Sequence, residues 1–161
     1  MLKEIWDHLE EIFLIPSLIF SVGLIFMQII MRYVFGSSLS WSEELARYLF
    51  IWEIWIGISY AARNRSHLRI LLVKQRLGKR AQDVLEIAVT VVWAGFALFI
   101  AVQGFSLVMT IGRFGQKSSA LQLPMVYPHL AVPVGCALMA VRLIENTVKD
   151  FISRPKRGGT E

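Results

Sequence analysis

The sequence has few of the residues that build disulfides, metal sites or catalytic centres. Its one cysteine, Cys136, lies in an apolar segment, so no internal disulfide scaffold is possible. The three histidines are far apart in the chain, and only His129 falls within an apolar run, which disfavours a haem held by two histidines. We find no Cys/His cluster with metal-ligand spacing, no phosphate-binding loop and no nucleophile elbow. The sequence therefore predicts a protein that is not an enzyme and has no metal or cofactor.

Charge is also scarce. Only 18% of the residues are charged and 55% are hydrophobic, and the mean hydropathy is +0.55. A soluble domain of this size would need more polar surface, so the composition indicates a membrane protein. The net charge of +5 comes from basic residues that flank apolar runs, a pattern that favours an anionic membrane face over nucleic acid. The N-terminus is acidic and amphipathic, unlike a signal peptide, so we expect the first apolar segment to stay in the mature protein.

Apolar runs of membrane-spanning length then define the fold. Two uncharged runs, 12–31 and 87–112, are long enough to cross a bilayer, and a third, 118–141, contains three prolines. A fourth segment, 41–62, is long enough but contains Glu53. We predict an all-α integral membrane protein with a single domain, residues 1–153, and four transmembrane helices. Their predicted bounds are 12–35, 41–63, 85–112 and 122–146. Short amphipathic interfacial helices are expected before the first span and within 68–77, and 154–161 is expected to be a disordered tail.

Basic residues predict the orientation. All but four of the 17 lysines and arginines lie in the N-terminal tail, the connection between spans two and three, or the C-terminal tail. With four spans these three regions share one side of the membrane. The four on the other side are Arg32, Arg47, Arg113 and Lys117. By the positive-inside rule, both termini are predicted to be cytoplasmic.

Residues 41–67 form the most informative segment, WSEELARYLFIWEIWIGISYAARNRSH. A stripe at helical spacing includes Trp41, Leu45, Tyr48, Trp52, Trp55, Ser59 and Ala62. An aromatic belt at the membrane surface explains the first aromatic residues of this stripe well, but the two later tryptophans should lie deeper than the headgroups. Packing of the stripe on another protein is therefore an equal alternative. Glu43 and Arg47 have the spacing of an i,i+4 ion pair, and Ser40 or Ser42 is a candidate N-cap.

Glu53 is the most unusual residue in this segment. An ionised carboxylate near the bilayer centre costs about 2.5–3.5 kcal/mol on insertion scales, so it needs a partner or a function. It could be the proton site of a small exporter or a polar anchor to another helix. The possible partners within the chain are Gln28, Gln103, Tyr127 and His129. We favour the anchor, because a single carboxylate without a second acid is weak support for a transport site.

The order of residues around this segment resembles a known family. The resemblance rests on Arg32-Tyr33-Val34-Phe35, on Ser40 to Arg47 (SWSEELAR), on Phe50-Ile51-Trp52, and on Gly57, Ala61, Arg63 and His67. This pattern is similar to that of the small, DctQ-like membrane subunit of tripartite ATP-independent periplasmic (TRAP) transporters. One departure is that the family often has an aspartate shortly after the histidine, where this chain has Leu68, Arg69, Ile70 and Leu71.

The resemblance implies a non-catalytic scaffold subunit in the bacterial inner membrane. In such systems a large membrane subunit carries out sodium-coupled uptake of an organic acid, which a periplasmic binding protein delivers. The implied partners are that large subunit, the binding protein and phospholipid. A small homodimeric proton-coupled exporter using Glu53 is the alternative, and the membrane anchor of a redox enzyme is a third class, recognisable by haem absorbance.

The resemblance also suggests roles for individual residues. The hypothesis assigns subunit-interface or structural roles to Trp41, Glu43, Glu44, Arg47, Trp52, Glu53, Trp55 and Gly57. Trp52, Trp55 and Gly57 are expected to pack at helix contacts, with the glycine allowing close approach. Glu43, Glu44 and Arg47 are expected to organise the periplasmic end of the second helix. Arg63, Arg65 and His67 are expected to anchor its cytoplasmic end to lipid headgroups.

Overall fold

The computed structural model describes residues 2–64 and 79–153, and this part of the chain consists of four α-helices. Their bounds are Leu2–Tyr33 (α1), Ser40–Arg63 (α2), Lys79–Phe114 (α3) and Val126–Ser153 (α4). The all-helical class is confirmed. In the described residues the only extended pairing is an isolated antiparallel bridge between Lys117 and Pro124, in the connection from α3 to α4.

Three of the four helices contain segments long and apolar enough to cross a membrane. These segments are Glu10–Tyr33, Ile87–Phe114 and Val126–Val148. The 24 residues of α2 would span about 36 Å at 1.5 Å per residue. However, α2 contains the acidic side chains of Glu43, Glu44 and Glu53, and it does not belong to this apolar group. The length of α2 would allow it to cross a bilayer, but its hydropathy does not indicate a span.

The helices extend beyond the predicted spans. The amphipathic N-terminal segment is continuous with α1, so the expected separate interfacial helix before the first span is wrong. No glycine or proline interrupts the first fifteen residues, and Pro16 lies inside the helix. The fourth helix begins at Val126 and not at 122, because the bridge at Pro124 and the positive φ of Gln122 (54°) belong to the preceding turn. The predicted interfacial segment 68–77 and tail 154–161 lie outside the described residues.

The main packing contacts run from α1 to α2, from α2 to α4 and from α4 to α3. Helices α2 and α4 are parallel to each other, and α1 and α3 run in the opposite direction. We call the end where α1 and α3 terminate the loop end, and the opposite end the terminal end. The buried core near the terminal end is made of small and flexible side chains, namely Ala62, Ala97, Met139, Ala140 and Leu143.

The two central helices come unusually close at Gly135 of α4. A Cβ built on Gly135 would lie 2.5 Å from the carbonyl oxygen of Trp55 and 2.7 Å from its Cβ. Only a residue without a side chain fits there, since membrane helices approach closely where one of them has a small residue. Gly115 follows α3 with φ of 59°, a left-handed conformation that ends a helix and that glycine adopts without strain.

Candidate functional site

A buried ion pair joins three helices near the terminal end. The guanidinium of Arg142 in α4 contacts the carboxylate of Glu10 in α1 twice, with Nε 2.7 Å from Oε1 and Nη2 2.9 Å from Oε2. The exposed fractions of the two residues are 2% and 0%. From α2, the Ser59 hydroxyl donates to the same Oε1 at 3.2 Å. Such bidentate, charge-assisted contacts fix the relative position of their helices.

Further polar contacts surround this pair. Arg63 Nη1 lies 3.4 Å from Glu11 Oε1, and Arg142 Nη1 lies 3.0 Å from Glu145 Oε2. The amide of Asn146 donates to the carbonyls of Ala62 and Arg63 at 3.0 and 3.2 Å, which satisfies acceptors that the end of α2 leaves unpaired. Arg63 is thus engaged within the chain. Its proposed contact with headgroups stays a prediction, and Arg65 and His67 lie outside the described residues.

At the loop end, Glu44 holds the connection between α3 and α4 against α2. Its Oε2 accepts hydrogen bonds from the backbone amides of Ala120 and Leu121, both at 2.9 Å, and its Oε1 accepts one from the Tyr48 hydroxyl at 2.5 Å. The connection is itself ordered by a backbone hydrogen bond from Ser118 to Leu123 at 2.8 Å. The side chain of Glu44 therefore lies between α2 and the connection, buried although it is acidic.

The exposed acid and base beside Glu44 do not form the expected pair. Glu43 accepts a hydrogen bond from Gln28 Nε2 at 2.7 Å, so it bridges to α1 and makes no ion pair with Arg47 in the described structure. The predicted serine cap is also wrong. The N-cap is Leu39, and the Ser42 hydroxyl donates to the Leu39 carbonyl at 2.8 Å. Trp41 is partly exposed at this same end.

Among the residues that the structure describes, Glu53 has one hydrogen-bond partner, and it is none of the four expected candidates. The hydroxyl of Ser21 in α1 donates to Glu53 Oε1 at 2.7 Å. Gln28 bonds to Glu43, and His129 Nδ1 lies 2.7 Å from the Met125 carbonyl. The second carboxylate oxygen, Oε2, is buried without a hydrogen-bond partner in the described residues. The contact thus links α1 to α2 and leaves a polar atom enclosed between them.

The tryptophan stripe of α2 faces partly into the bundle. Trp52 and Trp55 are half-buried, and the backbone of Trp55 lies against Gly135. A Cβ on Gly57, in contrast, would meet no atom within 4 Å. Gly57 therefore does not permit the close approach within this chain, and a contact between Gly57 and another subunit stays a prediction.

Sequence reasoning missed the residues that make the strongest contacts. Glu10, Arg142 and Gly135 are not among the sequence-predicted residues, and Ser59 is predicted only as a member of the tryptophan stripe. A signal existed for the ion pair, because Glu10 and Arg142 have opposite charge and each lies near the terminal end of an apolar run. With two antiparallel helices, these two positions fall at the same depth.

A family model described as "Tripartite ATP-independent periplasmic transporters, DctQ component" matches residues 21–152. The chain belongs to this family. The matched region includes Glu44, Glu53 and Arg142 but begins after Glu10. Members are subunits of membrane transporters and not enzymes. The family assignment made from the motif around residues 41–67 is confirmed.

Curated relatives fit the same family. The chain is 32% identical over 145 residues to the isethionate TRAP transporter permease protein DctMQ of Oleidesulfovibrio alaskensis, a match that covers 86% of this chain and 23% of that protein. It is 26% identical to the sialic acid TRAP transporter small permease protein SiaQ of Vibrio cholerae, with 90% and 83% covered. It is 30% identical to the C4-dicarboxylate TRAP transporter small permease protein DctQ of Rhodobacter capsulatus, with 68% and 48% covered. The chain thus spans less than half the length of two of these three DctQ-related proteins.

We predict that Glu44→Ala releases the α3–α4 connection from α2. The amides of Ala120 and Leu121 and the Tyr48 hydroxyl would lose their shared acceptor, and unmade hydrogen bonds of partly buried groups favour local opening. Amide hydrogen exchange at residues 120 and 121, measured in detergent by mass spectrometry, should become about tenfold faster or more. The control is Glu43→Ala, which removes the neighbouring exposed acid. Equal exchange in the two variants would contradict the assignment.

Proposed function

We propose that this chain is the small, non-catalytic scaffold subunit of a TRAP transporter. It supports a large permease subunit that carries out sodium-coupled uptake of an organic acid delivered by a periplasmic binding protein. The observation on which this rests is the match to the DctQ component over residues 21–152. The small-permease relatives are named for sialic acid, C4-dicarboxylates and ectoine. Similar small subunits thus serve chemically different substrates, which supports a role other than substrate selection.

We further propose that all four helices cross the bacterial inner membrane, with both termini in the cytoplasm. The loop end then faces the periplasm, in agreement with the positive-inside distribution of lysine and arginine. The polar residues of α2 make its insertion into the membrane costly, and their hydrogen bonds within the chain reduce that cost. Glu53 bonds to Ser21, and Glu44 bonds to the α3–α4 connection. Intramembrane polar groups are tolerated when they pair in this way inside a bundle.

A large permease partner is supported by the lengths of the relatives. The chain covers only 23% of the DctMQ protein, so a region like this one occurs within a much longer permease. A 48-residue match, 48% identical, also occurs in the sialic acid TRAP transporter permease protein SiaT of Haemophilus influenzae, where it covers 8% of that protein. A segment joined to a permease in one chain is held next to it, and we infer that the separate subunit occupies an equivalent place.

The binding protein would meet the loop end. Arg32, Arg47, Arg113 and Lys117 are all exposed there. Of the two acids in this part of α2, Glu44 is buried against backbone amides and Glu43 is exposed. The exposed surface is therefore mainly basic, which favours docking of an acidic protein surface. Phospholipid acyl chains would cover the exposed apolar faces of the outer helices.

The alternative, a proton-coupled exporter using Glu53, fits the geometry less well. Glu53 is 7% exposed and lies between α1 and α2, with one oxygen bonded to Ser21 and the other enclosed. A carboxylate that carries protons across a membrane must face a water-filled path or a proton relay. The described residues give Glu53 an interhelical contact instead.

Reconstitution tests the proposed function. We expect the chain to co-purify with the large permease subunit of the same transporter. Liposomes containing both subunits should accumulate the organic acid only when the binding protein and a sodium gradient are present, while the chain alone should transport nothing. A purified chain that moves a cation-coupled substrate by itself would contradict the proposal, as would full uptake by the large subunit without this chain.

A further inference from the structure

The outward face of α3 contains polar residues where lipid would be expected. Phe96, Phe99, Gln103, Ser106 and Thr110 recur at intervals of three or four residues, so they share one face of the helix. We call them the α3 stripe. All five are exposed, and they lie in the middle and last third of the spanning segment Ile87–Phe114. Gln103 is the seventeenth of its 28 residues, which places its side chain near the bilayer midplane.

The polar groups at the centre of the α3 stripe have no hydrogen-bond partners within the described residues. Thr110 is an exception, because its hydroxyl donates to the Ser106 carbonyl at 3.0 Å. The Gln103 amide has two donor hydrogens and an acceptor oxygen, and the Ser106 hydroxyl adds another donor and acceptor. In hydrocarbon there is no water to satisfy them, so polar side chains at this depth normally face another helix.

The place of α3 in the bundle leaves this face open. Helix α3 lies at one end of the packing order and contacts α4 through its opposite face, where Ala97, Ala101 and Val108 are buried. Gly104 on that side is close to α4, because a Cβ there would lie 3.2 Å from Pro133 Cδ. A further helix could therefore pack on the α3 stripe without disturbing the contacts already made.

The helix at the other end of the packing order has a different outer face. In the middle of the α1 span, the exposed side chains are aliphatic or aromatic, among them Ile19, Val22 and Phe26. The serines and the glutamine of this span have hydrogen-bond partners within the chain, and Ser21 donates to Glu53. Ser17 donates to the Leu14 carbonyl at 3.1 Å, and Gln28 donates to Glu43 at 2.7 Å. The outer face of α1 is thus suited to lipid, and the outer face of α3 is not.

We propose that the α3 stripe is the surface on which a membrane helix of the large permease subunit packs, and that this helix presents a hydrogen-bonding side chain to Gln103. The inference rests on the proposed function, since it names where the partner subunit binds. The large subunit is the occupant we choose, because related sequence occurs inside longer permease proteins. Phe96 and Phe99 would supply apolar contact area beside the polar centre of the interface.

Site-specific photocrosslinking tests the position of the partner. The photoreactive residue p-benzoylphenylalanine would replace Phe99 in the α3 stripe or, as a control, Phe26 on α1. The two phenylalanines have exposed fractions of 58% and 64%. In the co-expressed complex, irradiation should link this chain to the large subunit from position 99 and not from position 26. A covalent dimer of two copies of this chain would overturn the proposal, and so would a complex that gives no protein adduct from position 99.

A substitution then tests the hydrogen bond. Gln103→Leu should reduce the amount of large subunit that co-purifies by about threefold to tenfold, the range that interhelical hydrogen bonds produce. The melting temperature of the isolated chain should stay unchanged or rise, because an unpaired amide is removed. Leu98→Met is the control, since Leu98 is exposed on the same helix but is not three or four residues away from any member of the stripe.

The outcomes separate the inference from the proposed function. Loss of co-purification by the unmodified chain would overturn both. If the unmodified chain co-purifies and Gln103→Leu retains the full amount, the proposed function stands and the α3 stripe is not the interface.

Discussion

Replacing Arg142 by methionine is expected to lower the free energy of unfolding by about 3–5 kcal/mol. Arg142 is one of the most deeply buried charged residues described, and its guanidinium makes two hydrogen bonds to Glu10. Without it, the Glu10 carboxylate would be enclosed with only the Ser59 hydroxyl and a more distant Arg63, whose Nη1 lies 4.0 Å from Oε2. Removing one member of a buried ion pair lowers the free energy of unfolding far more than replacing both members by apolar side chains.

A double variant separates the loss of the pair from the cost of an unpaired charge. Glu10→Met combined with Arg142→Met replaces both partners by apolar side chains, and such replacements of buried pairs are often neutral or stabilising. We therefore expect the double variant to recover most of the stability that Arg142→Met loses. Arg113→Met, at an exposed arginine of the loop end, is the control and should leave the stability unchanged. Thermal unfolding in detergent, followed by circular dichroism, compares the three variants with the unmodified chain.

A double variant that is no more stable than Arg142→Met would show that the unpaired Glu10 charge is not the source of the lost stability. Arg142→Met with the stability of the unmodified chain would show that the pair does not join the helices. In that second case the packing of α1 would depend on other contacts, of which the Ser21–Glu53 hydrogen bond to α2 is a candidate.

The helices themselves followed from the sequence because their signals are local. Runs without charge reveal where a chain can enter a membrane, and the structure has helices at all four predicted places. Bounds were less accurate, because helical hydrogen bonds continue past the apolar run wherever no breaker stops them. Thus α1 begins at Leu2 and not near residue 12. The family, too, could be identified early, since an ordered pattern of many residues does not depend on knowing their contacts.

Partners could not be predicted because they depend on how the helices are rotated against one another. Ser21 and Glu53 are 32 positions apart, and Glu10 and Arg142 are 132 apart. No local spacing rule connects such residues. Where a local rule did apply, a tertiary contact overrode it, since Glu43 bonds to Gln28 of the neighbouring helix and not to Arg47 one turn away.

The motif that identified the family now has a partial structural explanation. Glu44 fixes the α3–α4 connection, Glu43 bonds to α1, and Trp55, beyond the motif's tryptophan, lies against Gly135. These contacts all hold this chain together. Subunit contacts of the exposed motif residues, such as Trp41 and Phe50, stay a prediction, and the proposed interface on the α3 stripe lies outside the motif.

Replacing Gly135 should disrupt the central pair of helices. The three atoms nearest to a Cβ at position 135 are the carbonyl oxygen, Cβ and carbonyl carbon of Trp55, all within 3 Å. None of them can move away by a side-chain rotation, so even Gly135→Ala requires the two helices to separate. Overpacking of this kind costs about 1–3 kcal/mol, and occasionally more. We expect Gly135→Ala to fall in this range and Gly135→Leu to prevent α2 and α4 from packing.

Gly95→Ala is the matched control, because it makes the same substitution inside a helix where the new Cβ would meet no atom within 4 Å. Alanine is favoured over glycine within a helix by about 0.5–1 kcal/mol, so this variant should be slightly more stable than the unmodified chain. The two variants thus predict shifts of opposite sign in the melting temperature measured in detergent. A stabilising effect of Gly135→Ala would show that α2 and α4 are not in close contact at Trp55. Helix propensity alone would then decide the outcome at both positions.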